Sequence, residues 1–99
     1  MNIQKKQNDT ELTITLAGRL DTNTAPLLEH ELEHLAQDEI KHLYFDFSEL
    51  EYISSAGLRI LLAMQKTMSK IGSMKVTNVN AQIMEVFDIT GFSDFLTIE

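Results

Sequence analysis

Three neighbouring segments predict the centre of the fold: His42-Leu43-Tyr44-Phe45-Asp46-Phe47, Ser48–Glu51 and Ser55–Ile71. The first is aromatic or aliphatic at nearly every position except Asp46, which is typical of a central strand covered on both faces. The second is polar and predicts a short turn. In the third, apolar residues recur at helical spacing, and Gly72 follows as the residue expected to end the helix. A buried strand, a turn and a buried helix are therefore predicted in succession.

The residues before this region predict a hairpin. Leu12, Ile14 and Leu16 alternate with threonines, a period of two that indicates a strand, and Gly18 is expected to end it. A turn at Asn8-Asp9 would connect that strand to a more polar partner beginning near Ile3.

Helices are predicted on both sides of the central segments. N-cap residues at Asp21–Thr24, followed by Pro26, predict a helix over Thr24–Gln37, with Leu28, Leu32 and Leu35 as its apolar stripe. The predicted elements after Gly72 are a strand at Met74–Val79, a helix capped by Asn80 and ending at Gly91, and a closing segment at Phe92–Ile98. The order β-β-α-β-α-β-α-β favours an α/β fold, with a mostly parallel central sheet, an N-terminal antiparallel strand and helices packed against it.

Length and charge restrict the class of protein. Ninety-nine residues predict one domain over residues 1–99, and the absence of cysteine excludes disulfides and thiolate chemistry. The net charge of −7 argues against nucleic acid or an anionic membrane as partner. Residues 1–51 hold four basic and eleven acidic groups, so a basic partner surface would suit that half. No apolar run approaches the roughly 18 residues of a membrane span, and we expect a cytoplasmic protein.

His30-Glu31-Leu32-Glu33-His34 matches the zinc motif H-E-x-x-H. At about 100° per residue, both histidines project away from the leucine stripe and toward water. A catalytic zinc also needs a third protein ligand and a cleft, which one amphipathic helix does not supply. We therefore predict a solvated helix face and no metal.

Other enzyme motifs are incomplete. The four glycines are isolated from one another, so no phosphate-binding loop can be assembled and no cofactor is expected. Ser54-Ser55-Ala56-Gly57 resembles half of a nucleophile elbow, but Ile53 occupies the position of the required first glycine. Asp46 lacks the preceding acidic pair that a phosphoaccepting receiver domain uses for magnesium. None of these enzyme motifs is therefore complete.

The remaining candidate is Ser54-Ser55-Ala56-Gly57-Leu58, at the start of the buried helix. One serine can cap the helix, and capping alone would explain its presence. A hydroxyl here can also carry a phosphoryl group, whose charge is favourable at the positive end of a helix. Gly57 would let a partner's backbone approach closely. The residues themselves leave both interpretations open.

Asp21-Thr22, Asp46-Phe47-Ser48 and the segment Tyr52–Leu58 together resemble the STAS domain of bacterial anti-sigma factor antagonists. The similarity runs through nearly the whole chain and is sharpest between Asp46 and Leu62. It implies a small α/β protein-binding switch rather than an enzyme. In that family the unphosphorylated antagonist binds an anti-sigma factor, which is also a serine kinase, and so frees the sigma factor. The kinase then phosphorylates the antagonist, and a PP2C-type phosphatase reverses the modification.

The resemblance also implies site residues. Alignment on Gly57-Leu58 makes Ser55 the phosphoacceptor, with Ser54 as the alternative, because family members often have Asp where this chain has Ser54. Asp21 and Asp46 are expected to flank Ser55. The other possible role is a permanent scaffold subunit in a stress-signalling or lipid-transport complex, without a phospho-switch. A monomer or weak dimer is expected, and the implied partner-binding residues are Asp21, Thr22, Asp46, Ser54, Ser55, Gly57 and Leu58.

Overall fold

Four strands form one mixed sheet in the computed structural model, which describes residues 1–33 and 39–99. They lie side by side in chain order, with β1 antiparallel to β2 and the other neighbours parallel. This confirms the predicted sheet, including the N-terminal hairpin. The strands are β1 (Asn2–Asn8), β2 (Glu11–Leu20), β3 (His42–Ile53) and β4 (Ser73–Thr77).

Three helices and one 3-10 turn complete the described chain. The long helix begins and ends as predicted, and Asn80 and Gly91 bound the last helix as expected, with Gly91 in the left-handed region at φ 80°. Residues 34–37 of the first predicted helix, including Leu35, lie outside the described residues. The elements are α1 (Ala25–Leu32), α2 (Ser55–Ile71), α3 (Ala81–Thr90) and the turn Phe92–Asp94.

The core lies on one face of the sheet. Leu43, Phe45 and Phe47 are fully buried, and the ring of Phe47 lies 6.5 Å from that of Phe87 on α3. The alternate residues of β3, from His42 through Asp46, are only half-buried. The expectation that this strand is covered on both faces is therefore wrong. Leu43, Phe45 and Phe47 alternate with His42, Tyr44 and Asp46, and that period of two places the polar groups on the open face.

Both central strands extend further than the sequence predicts. Gly18 does not end β2, and Ser48–Glu51 is not a turn, because β3 continues to Ile53. The register shifts twice along this stretch, each time with one extra residue in β3. Such bulges accommodate surplus polar residues without ending the strand. They also keep Leu50 and Ile53 buried.

The C-terminal segment closes the outer edge of β4. It is not a regular strand: a single parallel bridge joins Ile98 to Val76. The Val76 amide donates to the Thr97 carbonyl at 2.9 Å, and the Glu99 amide donates to the Val76 carbonyl at 2.9 Å. The predicted closing segment therefore covers an edge rather than adding a fifth strand.

Candidate functional site

The ends of β2 and β3 bring two loops together. Leu20 and Ile53 are paired at the end of the parallel ladder, and the Ser54 amide donates to the Leu20 carbonyl at 2.8 Å. Asp21 follows Leu20, and Ser54 follows Ile53, so both loops leave the sheet at the same edge. Parallel strands present their carboxyl ends together, which is why residues distant in sequence meet here.

The two adjacent serines have different environments. Ser54 is the N-cap of α2, with φ −96° and ψ 175°, and its Oγ accepts a long hydrogen bond from the Gly57 amide at 3.5 Å. Ser55 is exposed at the first helical position, and within residues 1–33 and 39–99 its hydroxyl has no hydrogen-bond partner. Capping therefore accounts for Ser54 alone, and the hydroxyl of Ser55 is available for chemistry.

Gly57 and Leu58 do not form an exposed surface. A Cβ on Gly57 would lie 2.8 Å from Leu20 Cγ and 2.9 Å from Ile53 Cγ1, and Leu58 is buried in the core. The expectation that Gly57 admits a partner's backbone is wrong, because the space beside it is filled by the ends of β2 and β3. Both residues hold the start of α2 against the sheet and so position Ser55.

Asp21 organises the loop between β2 and α1. Its Oδ1 accepts from the Asn23 amide at 3.0 Å and the Thr24 amide at 3.1 Å, while its own amide donates to Thr24 Oγ1 at 2.8 Å. Desolvation acts to raise the pKa of Asp21, but these hydrogen bonds and the nearby Arg19 guanidinium outweigh it and lower the pKa. Asp21 is therefore a carboxylate at neutral pH, fixed by its own loop.

A shallow groove of about 290 Å³ runs from this loop along α2, between α1 and α2. Thr22 lines it from one side, and Ala56 and Arg59 line it from the other. Arg59 is exposed and lies four residues after Ser55, so the two side chains share one helix face. Arg59 was not among the predicted site residues, although its spacing from Ser55 is visible in the sequence.

A STAS domain family model matches residues 2–99. The chain belongs to the STAS domain family. The anti-sigma-B factor antagonist of Bacillus subtilis (strain 168) is 31% identical to this chain, covering 99% of it and 90% of that protein. The crystal structure of an anti-sigma factor antagonist from Mycobacterium paratuberculosis has a TM-score of 0.88 at 24% identity, covering 98% of this chain and 83% of that one. The Bacillus cell fate determinant SpoIIAA in its phosphorylated form has a TM-score of 0.78 at 17% identity, covering 99% of this chain and 91% of that one.

A second pair of residues lies at the same edge of this STAS chain. Arg19 and Tyr52 are cross-strand neighbours at the ends of β2 and β3, and the Arg19 guanidinium lies 4.1 Å from the centre of the Tyr52 ring. Tyr52 is 41% exposed. A cation stacked on an aromatic face is held in place while its donors remain available. This pair was not predicted from the sequence, because both strands were expected to end earlier.

Asp46 lies apart from the serine of this STAS chain. It pairs with Thr15 on β2, whereas the Ser54 end pairs with Leu20, roughly 16 Å further along at ~3.3 Å per residue. Its Oδ1 instead accepts from the Ser48 amide and from Asn78 Nδ2, each at 3.0 Å. The hydrogen bond from Asn78, followed by that from Ser48, lowers the pKa of Asp46. The expectation that Asp46 flanks Ser55 is therefore wrong.

The zinc-like motif is only partly within the described chain. His30 is exposed, and its Nδ1 lies 3.4 Å from the Glu33 carboxylate, while Leu28 and Leu32 are buried on the opposite face. His34 lies outside the described residues. Within residues 1–33 and 39–99, no three His, Asp or Glu side chains are grouped as metal ligands require. No helix in the same ranges is long and apolar enough to cross a membrane.

Proposed function

We propose that this STAS chain is an anti-sigma factor antagonist switched by phosphorylation of Ser55. Unphosphorylated, it binds an anti-sigma factor that is also a serine kinase, and the sigma factor is released. The observation that carries the proposal is the division between the two serines: Ser54 caps α2, and Ser55 presents an exposed hydroxyl without a hydrogen-bond partner among the described residues. The relation to anti-sigma-B factor antagonists supports it.

The folded domain can accommodate a phosphate on Ser55. The first amides of α2 point toward the N-terminus of the helix, where the helix dipole favours an anion. Arg59 lies one turn further along the same face and offers a charge-assisted contact. The modified protein therefore stays folded, and the switch acts on binding rather than on stability.

The interface with the partner is where the phosphate has its effect. A neutral hydroxyl beside the Asp21–Thr22 loop becomes a group of charge about −1.5 to −2. That charge must be desolvated against a surface that accepts a small hydroxyl, next to the fixed carboxylate of Asp21. Mismatching a buried charge costs about 2–5 kcal/mol, or about 30- to several-thousand-fold in affinity. This range is wide enough for an on/off response.

We also propose how the phosphorylation cycle is completed and where it takes place. A PP2C-type phosphatase removes the phosphate, and the STAS chain itself binds rather than catalyses. We place the cycle in the cytoplasm, where the kinase has ATP.

Calorimetric titration of an anti-sigma factor kinase, with a phosphorylation assay in parallel, tests this function. We expect Ser55→Ala to bind persistently and take up no phosphate, and Ser55→Glu to lose at least about thirtyfold in affinity. Ser54→Ala is the matched control: it should lose the cap, about 1 kcal/mol of folding stability, and still be phosphorylated.

Two results would overturn parts of the proposal. Phosphate on Ser55→Ala but not on Ser54→Ala would move the switch to Ser54. If neither serine is modified and Ser55→Glu binds as well as the unaltered chain, the switch is absent. The permanent scaffold role would then replace it.

A further inference from the structure

The side of α2 away from α1 carries a second groove, distinct from the Ser55 surface. It has a volume of about 400 Å³ and lies between α2 and the 3-10 turn, with Leu62, Gln65, Lys66, Ser69, Phe92 and Phe95 as its lining. Small-molecule sites commonly fall between roughly 300 and 1,000 Å³ and are mostly apolar. Leu62 lies seven residues after Ser55, about 10 Å along the helix, so an occupant of this groove leaves the serine accessible.

Two phenylalanines form the apolar wall. The rings of Phe92 and Phe95 meet edge to face, with centroids 6.5 Å apart, and Phe95 is 64% exposed. A large aromatic side chain left this open beside a groove is unfavourable in water, and an apolar occupant would cover it. An aromatic occupant would also gain ring-to-ring contacts.

The polar groups of the groove favour a ligand that also carries a hydrogen-bond donor. Gln65 Nε2 donates to Ser69 Oγ at 3.3 Å, and the Ser69 hydroxyl donates to the Gln65 carbonyl at 2.7 Å. Gln65 Oε1 is buried and has no partner among the described residues. A buried acceptor without a donor is unfavourable, so a ligand that brings an N–H or O–H group would satisfy it once the Gln65 amide turns toward the groove and gives up its long hydrogen bond to Ser69.

The positive charge of α2 indicates the charge of the ligand. Helix α2 contains Arg59, Lys66 and Lys70 and no acidic residue, in a chain of net charge −7. Lys66 lines the groove, and in residues 1–33 and 39–99 no carboxylate lies within 4.0 Å of its ammonium. Asp94 is exposed in the same turn but is not part of the lining. Lys66 therefore favours an anion at the rim.

We propose that the α2 groove binds a small aromatic anion that also carries an N–H or O–H donor. The ring system contacts Phe92 and Phe95, the donor reaches Gln65 Oε1, and the anionic group lies by Lys66. Binding there is a property of the STAS chain separate from its anti-sigma factor partner, because the groove does not include Ser55 or the Asp21 loop.

Amide-resolved NMR titration with anilinonaphthalene sulfonate tests the site, since this probe combines aromatic rings, one N–H donor and one anionic group. We expect saturable shifts centred on the six lining residues. Phe95→Ala should weaken binding about tenfold or more, and Lys66→Gln about two- to fivefold. Leu27→Ala is the matched control, because Leu27 is also an exposed apolar residue, 54% accessible on α1, but lies outside the groove. It should bind the probe unchanged.

Two matched probes separate the polar contributions. Phenylnaphthylamine keeps the rings and the N–H but has no sulfonate, and it should bind wild type and Lys66→Gln equally. Phenoxynaphthalene sulfonate keeps both ring systems and the sulfonate but has an ether oxygen in place of the N–H, and it should bind more weakly than the full probe. Shifts centred between α1 and α2, or equal binding by Phe95→Ala and Leu27→Ala, would overturn the site. Binding of the neutral amine as tight as that of the sulfonate would overturn its preference for an anion.

Discussion

Asp21 and Asp46 are chemically alike and differ in what they adjoin. Both accept hydrogen bonds from a backbone amide two residues later, and both have a lowered pKa. Asp21 follows the last pair of the β2–β3 ladder, beside Ser54, whereas Asp46 lies level with the end of β4 and bonds to Asn78. The hydrogen bonds within each aspartate's own turn therefore do not show which other residues lie beside it. The lengths of β2 and β3 determine those neighbours.

The largest effect on stability is expected at Gly57, where the start of α2 packs against the ends of β2 and β3. Gly57→Val would place side-chain atoms where Leu20 and Ile53 already lie, and overpacking of this kind costs about 1–3 kcal/mol. Chemical denaturation measures the loss. Ala63→Val, at an exposed position of the same helix, should cost less than about 0.7 kcal/mol.

The same variant also tests whether the Asp21 and Asp46 regions respond separately. In Gly57→Val the amide NMR signals of Asn23 and Thr24 should shift, and those of Ser48 and Asn78 should stay in place. Equal shifts at both sites would contradict the separation of the Asp21 and Asp46 regions.

The next effect concerns binding. Asp21→Ala removes the acceptor that fixes the loop beside Ser55, and we expect about tenfold weaker binding to the anti-sigma factor kinase, equal to about 1.4 kcal/mol. Asp46→Ala should change affinity less than about twofold, because Asp46 lies along the sheet from the interface. Titration calorimetry of both variants decides the matter, and equal losses would mean that the interface reaches Asp46.

A smaller effect is expected from the pH dependence of stability. The pKa of Asp46 is lower in the folded chain than its ordinary value of 3.8, so its carboxylate stabilises the fold above that value. The contribution is lost as the pH falls through the lowered pKa. Asp46→Asn should therefore be less stable than wild type at about pH 6, by about 1 kcal/mol, and the difference should shrink below about pH 3. A constant difference in urea denaturation at both pH values would contradict this account.

The smallest effect is expected at the zinc-like motif. His30→Ala combined with His34→Ala should change the free energy of unfolding by less than about 0.5 kcal/mol, because His30 is a solvated surface residue. We expect no stoichiometric zinc in the purified chain. Metal analysis that finds one zinc per chain, lost in the double variant together with stability, would contradict the prediction.

The spacing of apolar residues and the positions of capping residues predicted most of the fold. The spacing of apolar residues located α2, and Asn80 and Gly91 bounded α3, because caps are local signals. The ends of β2 and β3 were missed, since Gly18 and Ser48–Glu51 look like turns in sequence. Only pairing with a neighbouring strand turns them into bulged strand, and one sequence does not show that pairing.

The sequence likewise predicted part of the candidate site. Ser54, Ser55, Asp21 and Thr22 do lie at one edge, because Asp21 directly follows β2 and Ser54 directly follows β3. Asp46 was misplaced by the same error in strand length. The burial of Gly57 is a tertiary contact with Leu20 and Ile53, and no local pattern announces it.

The closure of the β4 edge by the C-terminal segment also bears on solubility. In the part of the chain that the structure describes, Thr97–Glu99 occupies hydrogen-bonding groups of β4 that would otherwise be open to another strand. The opposite edge is β1, where Lys5 and Lys6 lie among polar, mostly exposed residues. Charged side chains on an edge strand oppose pairing between molecules. Removing Thr97–Glu99 should therefore promote self-association through β4 at high concentration, while the lysines continue to protect the β1 edge.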